Sequence, residues 1–215
     1  MKKMIEAVIF DLDGVLVSTD EMHFKAWTRL AEEIGITTFT KEDNIRQRGV
    51  SRMASLEIVL EKSDKKFTDE EKAEMADRKN GYYCEMLKEL TPDDVLDGAL
   101  DFLKFLKANN IKTAVGSASK NAPVILEKTD LLGYLDAISC GLDVTKSKPD
   151  PEVFLVAADK LGVKPENCLV VEDAHAGILA AKNGNMYALA VGAAYGDEGA
   201  DFSMKSLANL ECIIK

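Results

Sequence analysis

The sequence has few cysteines for its length, and their spacing does not suggest pairing. The 215 residues include only Cys84, Cys140, Cys168 and Cys212, with no Cys-x-x-Cys pair among them. Structural zinc sites need closely spaced ligands, and disulfides persist mainly in secreted proteins. We therefore expect reduced, buried thiols rather than disulfides or a zinc site.

Positive charge is also scarce. The chain carries 27 lysines and arginines against 37 aspartates and glutamates, which gives a formal net charge of -10. Nucleic-acid binding and anionic membrane surfaces both require a basic face. The composition argues against such partners, and an acidic protein that binds phosphates must gather its few cations locally.

Long apolar runs are absent. No stretch approaches the roughly 20 apolar residues of a membrane helix, and the apolar run that ends at Phe10 is too short for a signal-peptide core. Since 47% of the residues are hydrophobic, the chain has enough apolar side chains to form a real core. We expect a globular, cytoplasmic protein.

What the sequence does contain is an alternation of strand and helix signals. Residues 5–10 are almost uninterrupted apolar residues, as in a strand buried on both faces. Three helices are then predicted, at about residues 19–34, 52–61 and 68–90, and Thr68 with Glu71 forms a capping-box pattern at the start of the third. No strand is predicted between these helices.

After Pro92 strands and helices alternate regularly. Strands are predicted at residues 112–116, 137–140, 168–171 and 186–191, and helices at 98–108, 123–128, 151–161 and 176–183. Such alternation predicts an α/β fold with a doubly wound parallel sheet. We divide the chain into a core of residues 1–16 and 91–215 and a helical insertion of residues 17–90.

Acidic and small polar residues follow several of the predicted strands. The first strand ends at Asp11 and Asp13, another is followed by Ser117, and a later one ends at Glu172 and Asp173. Ligands of doubly wound sheets bind at the carboxyl ends of the strands. Four converging carboxylates would repel one another unless they held a cation, and all-oxygen ligands favour Mg²⁺.

This pattern assigns chemical roles. An ionised Asp11 can attack phosphorus to form an acyl phosphate, and Asp13, two residues on, can act as general acid and base. Ser117 and the backbone N–H groups after it can hold phosphoryl oxygens, and Lys148 supplies positive charge. Each short motif alone is often only a turn, a helix start or solvated surface. Their joint occurrence in order is what indicates phosphoryl transfer.

The sequence resembles the haloacid dehalogenase superfamily over essentially its whole length. The matching motifs are Asp11-Leu12-Asp13-Gly14, Gly116-Ser117-Ala118-Ser119, Lys148-Pro149 and Val171-Glu172-Asp173. The resemblance implies a Rossmann-like core with an inserted α-helical cap and chemistry through an aspartyl phosphate. It also implies Mg²⁺ bound by Asp11, the Asp13 carbonyl and Asp173, with Glu172 beside the ion.

Two stretches of the cap resemble the β-phosphoglucomutase-like subfamily. They are His23-Phe24-Lys25-Ala26-Trp27 and Arg48-Gly49-Val50-Ser51-Arg52. A mutase must hold a bisphosphorylated intermediate, so it needs a second anion site distant from the metal. Arg52 is the candidate, with help from Ser51 and the Val50 backbone. The full set of candidate substrate-binding residues is His23, Trp27, Arg48, Gly49, Val50, Ser51, Arg52, Ser117, Ala118, Ser119, Lys120 and Asn121.

Several of these residues have two interpretations. By resemblance His23 would approach Asp13 or the substrate on cap closure, but it could equally pack above Trp27, one helical turn away. We interpret Trp27 as cap core rather than a sugar platform. Arg48 stands where we align lysine in the subfamily, and Asn121 either contacts substrate or caps a helix. His175 is interpreted as incidental to the chemistry.

The resemblance implies that the enzyme converts β-D-glucose 1-phosphate to glucose 6-phosphate through a 1,6-bisphosphate. The alternative is a Mg²⁺-dependent sugar-phosphate phosphatase with the same core. A non-catalytic protein that senses a phosphometabolite would be expected to have lost Asp11 or Asp173, and both are present. We expect the protein to act as a monomer on a small sugar phosphate.

Overall fold

The computed structural model describes residues 5–208, within which six parallel strands form one sheet. The strands are β1 (Ala7–Phe10), β2 (Lys112–Gly116), β3 (Ala137–Ser139), β4 (Cys168–Glu172), β5 (Tyr187–Ala190) and β6 (Phe202–Ser203). Their order is β3-β2-β1-β4-β5-β6, so the direction of winding reverses beside β1. A crevice for ligands is expected at that reversal, at the carboxyl ends of the strands.

Besides four short 3-10 helices, eight α-helices are found in the same described residues. They are α1 (Asp20–Glu33), α2 (Lys41–Arg46), α3 (Arg52–Leu60), α4 (Asp69–Leu87), α5 (Ala99–Ala108), α6 (Ala122–Lys128), α7 (Glu152–Leu161) and α8 (His175–Asn183). The doubly wound α/β fold predicted from the alternation is confirmed. The last four helices each precede one of the strands β2 to β5, and the first four follow β1 with no strand between them.

Helices cover both faces of the sheet, and β1 shows why its sequence is apolar throughout. Val8 and Phe10 belong to a hydrophobic cluster on one face, and Ala7 and Ile9 belong to a second cluster on the other. All four residues have no solvent exposure. A strand whose two faces are both buried cannot alternate apolar with polar residues. This central position places the residue after β1 at the middle of the crevice.

The helices α1, α3 and α4 share a hydrophobic cluster of their own. It is built around Trp27, Leu30, Leu56 and Val59. The capping box of Thr68 and Glu71 is present at the start of α4, as predicted. The prediction of only three helices was wrong, because α2 has just six residues and lacks a detectable apolar period.

Two chain segments connect this helical unit to the sheet, and they run side by side. Val17 forms isolated β-bridges to Asp13 and to Val95. The Leu96 N–H donates to the Leu16 carbonyl at 2.9 Å, and the Ser18 N–H donates to the Asp94 carbonyl at 3.0 Å. Adjacent connections of this kind suit a hinge, because both segments can bend at one place.

The described cysteines carry free thiols. Cys140 and Cys168 are buried and Cys84 is half-buried, while Cys212 lies outside the described residues. These three cysteines are unpaired, as expected, although Cys84 is less buried than expected. Among residues 5–208, no helix is both long and apolar enough to cross a membrane.

Candidate active site

A cavity of about 530 Å³ lies between the carboxyl edge of the sheet and the helices α1 to α4. Its lining includes all of the candidate residues named from the sequence except Glu172, which is fully buried behind the wall. The parallel strands explain this convergence, since β1, β2 and β4 all end at the same edge.

Lys148 forms a buried ionic contact with two carboxylates. Its Nζ lies 2.5 Å from Asp11 Oδ1 and 2.5 Å from Glu172 Oε1. Burial alone would lower the pKa of Lys148, but the two carboxylates raise it above its ordinary value. The ammonium group is therefore charged at neutral pH. A fixed cation beside Asp11 suits a site where phosphoryl charge must be stabilised.

Asp11, Glu172 and Asp173 form a carboxylate cluster in which one oxygen of each lies within 4.8 Å of the others. Burial, together with the charges of Glu172 and Asp11, raises the pKa of Asp173 to about 8. Burial also raises the pKa of Glu172, although Lys148 opposes it. These three carboxylates are hard oxygen donors, and a nearby cation would favour their ionised forms. The cluster therefore fits a divalent ion such as Mg²⁺.

Two glycines make room for these carboxylates. A Cβ atom on Gly14 would overlap Asp173 Oδ2, and Gly14 also has a φ of +83°, a region that side chains rarely adopt. A Cβ atom on Gly177, in the first turn of α8, would overlap Glu172 Oε1. The glycine in the Asp-x-Asp-Gly motif is thus required both by the turn and by its contact with Asp173.

Asp13 has the properties of a group that exchanges protons near neutral pH. Burial and the charge of Asp11 together raise the pKa of Asp13 to about 6, although a hydrogen bond from Thr19 opposes the shift. The Thr19 hydroxyl donates to Asp13 Oδ1. A pKa close to the working pH is the condition for efficient general acid–base catalysis.

On the cap side the cavity wall contains a buried lysine that the sequence analysis missed. Lys79 of α4 is only 3% exposed, and its Nζ lies 4.7 Å from the ring centroids of both Trp27 and Tyr83. It also lies 2.9 Å from Nδ1 of His23. Burial and the charge of Arg52 lower the pKa of Lys79 to about 7.

The structure also specifies the surroundings of His23 and Trp27. The His23 ring stacks on Tyr83, with the centroids 4.1 Å apart, rather than on Trp27. Trp27 is 1% exposed and belongs to the cap core, although it also lines the cavity. Trp27 is therefore a buried member of the hydrophobic cluster of α1, α3 and α4 that also reaches the cavity. The rings of Trp27 and Tyr83 both pack close to the Lys79 ammonium group.

The sequence of α4 contains a pattern that could have revealed Lys79. Its buried positions are Met75, Ala76, Lys79, Tyr83 and Leu87, which follow one helical face. Lys79 therefore lies on the apolar face of an amphipathic helix. Burying a charged side chain there costs free energy unless it has a partner or a function.

The two cap arginines are held by acceptors from different helices. Arg48 donates to Asp20 Oδ2 at 3.0 Å, and its guanidinium lies 4.0 Å from Asp173. Arg52 donates to Asn80 Oδ1 at 2.8 Å and to Asp77 Oδ1 at 3.4 Å. Both guanidinium groups therefore face the cavity in fixed orientations.

Backbone and hydroxyl groups after β2 and before α3 form short local turns. Ser51 is the N-cap of α3 and accepts from the Ala54 N–H. Ser117 Oγ accepts from the Ser119 N–H at 3.1 Å, and Ser119 Oγ accepts from the Asn121 N–H at 3.2 Å. These bonds fix the loop at residues 117–121 against the cavity.

Two further residues from the sequence analysis are placed as follows. Asn121 occupies the N-cap position of α6, but its side chain does not cap the helix and donates instead to Asn80 Oδ1 at 2.9 Å. His175 lies outside the cavity, where its Nδ1 contacts Asp197 Oδ2 at 2.6 Å on the surface.

A family model for haloacid dehalogenase-like hydrolases matches residues 5–185 of the chain. The chain belongs to the haloacid dehalogenase-like hydrolase family. The chain is 42% identical over 208 residues to a β-phosphoglucomutase of Bacillus subtilis (strain 168), covering 96% of this chain and 92% of that protein. It is 35% identical over 182 residues to a phosphorylated carbohydrates phosphatase of Thermotoga maritima, covering 83% and 81%.

The fold agrees with this family. A crystal structure of β-phosphoglucomutase from Clostridium difficile superposes with a TM-score of 0.91 at 41% sequence identity, covering 97% of this chain and 94% of that one. The resemblance to the β-phosphoglucomutase-like subfamily is therefore confirmed. This member of the haloacid dehalogenase-like family is a phosphoryl-transfer enzyme.

Proposed function

We propose that the enzyme is a β-phosphoglucomutase that interconverts β-D-glucose 1-phosphate and glucose 6-phosphate through a 1,6-bisphosphate. The observation that carries this proposal is a single cavity lined both by Asp11 and Asp13, which follow β1, and by Arg52 at the start of α3. The 42% identity to the Bacillus subtilis mutase supports the same reaction. A phosphate can be transferred at one end while the other phosphate is held at the opposite end.

The chemistry follows from the residues at the core end. The hydroxyl oxygen of a sugar monophosphate attacks the phosphorus carried on Asp11, Asp13 accepts the hydroxyl proton, and the bond from phosphorus to the Asp11 carboxylate breaks. After the bisphosphate reorients, the Asp11 carboxylate attacks its other phosphorus. The bond to the sugar oxygen breaks, and Asp13 returns the proton to that oxygen. Asp11 is thus rephosphorylated.

The carboxylate cluster is proposed to hold Mg²⁺. Asp11, Asp173 and the Asp13 carbonyl are the proposed ligands, with Glu172 beside the ion, and the hard oxygen donors of the cluster fit this ion. When bound, Mg²⁺ neutralises charge on the phosphoryl oxygens. Lys148 contributes a further positive charge and keeps the Asp11 carboxylate oriented through its contact with Oδ1.

The cap end is proposed to bind the phosphate that is not being transferred. Arg52 offers a planar fork of donors, which suits a phosphate better than a point charge does. Ser51, Val50, Lys120 and Asn121 line the same cavity. Arg48 and Gly49 line the cavity nearer the carboxylates, because Arg48 approaches Asp173. Ser117, Ala118 and Ser119 border the proposed path of the transferring group.

Residues 17–90 are proposed to form a cap domain that closes over the substrate. Closure would keep water from the aspartyl phosphate, which is what separates a mutase from a phosphatase. Trp27 and Tyr83 form the apolar part of this cover. His23 lies in the same wall, and we propose that its free Nε2 reaches Asp13 or a substrate hydroxyl.

A sugar-phosphate phosphatase remains the second candidate. The observation that favours it is the 35% identity to the phosphorylated carbohydrates phosphatase of Thermotoga maritima. Such an enzyme would use the same Asp11 and Asp13 and differ in admitting water to the aspartyl phosphate. A purely non-catalytic sensor is disfavoured, because the chain retains Asp11, Asp13 and Asp173 in one cavity.

We also propose that one chain is the functional unit, because residues of a single chain supply the phosphoryl acceptor, the acid–base group and the anion site. A cytoplasmic location is proposed on the free thiols of Cys84, Cys140 and Cys168, which are typical of a reducing compartment.

The decisive assay follows two products together. The purified enzyme is incubated with Mg²⁺, β-glucose 1-phosphate and a trace of glucose 1,6-bisphosphate, and glucose 6-phosphate and inorganic phosphate are measured in the same samples. Stoichiometric glucose 6-phosphate with little phosphate supports the mutase, and Asp11→Asn should abolish it. The matched control is His175→Ala, outside the cavity. Rapid phosphate release without isomerisation would identify a phosphatase.

A further inference from the structure

The side chain of Asn80 joins the cap and core sides of the cavity. Its Oδ1 accepts a hydrogen bond from Arg52 of α3 at 2.8 Å and another from Asn121, before α6, at 2.9 Å. Asn80 itself belongs to α4. One carbonyl oxygen therefore holds a donor from the cap helix α3 and a donor from the core loop at a single point.

The chemistry of the donors fixes the orientation of both amides. A guanidinium group can only donate, so the Asn80 atom that faces Arg52 is the oxygen. The Asn121 atom that faces the same oxygen must then be a donor, which makes it the NH₂ group. The opposite end of the Asn121 amide is its oxygen, and the Cys84 thiol lies 3.7 Å from it.

Asn80 and Cys84 are four residues apart on α4, so they lie on the same face of that helix. Together they contact both ends of the Asn121 amide. The amide is therefore held in one orientation by a cap helix, although it belongs to the core. Arg52 is fixed by the same residue, because the alternative acceptor, Asp77, is farther away and 83% exposed.

We propose that Asn80 is a positioning residue for the distal phosphate: its oxygen gathers the Arg52 and Asn121 donors that bind the phosphate not being transferred. This inference rests on the proposed function, which assigns both donors to that phosphate. Two donors that already converge lose less freedom on binding than two separate ones. Asn80 contacts the donors and acts through them, so it has no part in the transfer step.

The test measures binding without turnover. The Asp11→Asn protein, saturated with Mg²⁺, is titrated with glucose 6-phosphate, and binding is followed by calorimetry and by fluorescence of Trp27, the single tryptophan of the chain. Adding Asn80→Ala should raise the Kd about tenfold, the size expected when residues of one hydrogen-bonded network are uncoupled. The matched control is Arg78→Ala, on the exposed face of α4, which should leave the Kd unchanged.

A double-mutant cycle separates positioning from a general structural defect. If Asn80 acts through Arg52 and Asn121 together, Asn80→Ala should weaken binding by a smaller factor in an Asn121→Ala background than in the reference protein, because only the Arg52 contact is then left to lose. Thermal unfolding of every variant shows whether its fold is intact. The single variant Asn121→Ala removes one of the two donors without changing Asn80, so its Kd gives the contribution of Asn121 alone.

The outcomes are distinct. An unchanged Kd in folded Asn80→Ala, or full additivity with Asn121→Ala, would overturn the inference. If binding responds as expected but the Asp11 enzyme only releases phosphate from β-glucose 1-phosphate, the mutase proposal fails while the role of Asn80 stands. If glucose 6-phosphate does not bind the reference Asp11→Asn protein at millimolar concentration, both proposals are wrong.

Discussion

The Nζ atom of Lys79 lies 2.9 Å from Nδ1 of His23. Below its pKa of about 7, Lys79 is protonated and can only donate, so Nδ1 then accepts and the ring proton of a neutral His23 resides on Nε2. Burial lowers the pKa of His23, and the charges of Lys79 and Arg52 lower it further. The pair thus keeps His23 neutral and leaves only Nε2 available to a substrate or to Asp13.

The first prediction concerns this pair. Replacing Lys79 by methionine removes a nearby positive charge, so the pKa of His23 should rise towards its ordinary value while remaining below it, because burial persists. NMR titration of the imidazole signals measures this directly, since the chain has only two histidines. His175, at the surface pair with Asp197, gives the second signal. An unchanged His23 pKa would show that Lys79 does not determine its protonation.

The second prediction concerns the buried cation of the site. Lys148→Met leaves the carboxylates of Asp11 and Glu172 buried together without their shared partner, and should lower the free energy of unfolding by about 3–5 kcal/mol. Without the cation the folded protein binds protons more readily than the unfolded chain. Stability of the variant should therefore fall relative to wild type as pH rises from about 5 to 8.

Denaturant titrations in EDTA at both pH values measure this difference. If the loss of unfolding free energy in Lys148→Met is the same at both pH values, or larger at the lower pH, the carboxylates are not left unpaired as predicted. Lys146→Met serves as the control, because that exposed lysine pairs with Asp150 at the surface.

The third prediction uses two glycines on helices. Gly177→Ala should destabilise the protein and reduce activity, because the new Cβ overlaps Glu172 Oε1 and displaces that carboxylate from Lys148. Gly81→Ala, in α4, meets nothing within 4 Å and should stabilise the protein by roughly 0.5–1 kcal/mol. Thermal unfolding and the mutase assay compare the two. Equal effects would mean that the Glu172 contact is unimportant.

The fourth prediction links metal binding to protons. Because the pKa of Asp173 is raised to about 8, this carboxyl group is mostly protonated at pH 7 without a metal. Binding of Mg²⁺ requires the ionised form, so it should release protons at pH 7, and affinity should increase from about pH 6 to 8. Calorimetry in buffers with different ionisation enthalpies counts the released protons. Mg²⁺ binding that is independent of buffer and pH would exclude this linkage.

Much of the fold could be predicted because local patterns agree with the tertiary structure. The predicted strand at residues 112–116 coincides with β2, and the capping box of Thr68 and Glu71 starts α4. The strand-end residues Asp11, Ser117 and Asp173 meet at one cavity because parallel strands end at one edge. The position of each motif directly after a predicted strand was therefore enough to predict that these residues share one site.

Other features depend on tertiary contacts that a linear pattern does not reveal. The strand β6 has two residues, both exposed, and lacks the apolar run that marks the inner strands. The contacts of Asn80 to Arg52 and Asn121 join positions 28 and 41 residues apart. The α2 helix could have been found from its Thr40 and Asp43 capping box, which was overlooked.

The central claim is that Asp11 carries the phosphoryl group. The measurement that tests it traps the enzyme after mixing with Mg²⁺ and glucose 1,6-bisphosphate, reduces the acyl phosphate with borohydride, and identifies the modified residue by mass spectrometry. The account predicts homoserine at position 11, lost in Asp11→Asn and diminished when glucose 6-phosphate is added first to discharge the phosphoryl group. Modification of another residue, or none while turnover continues, would contradict it.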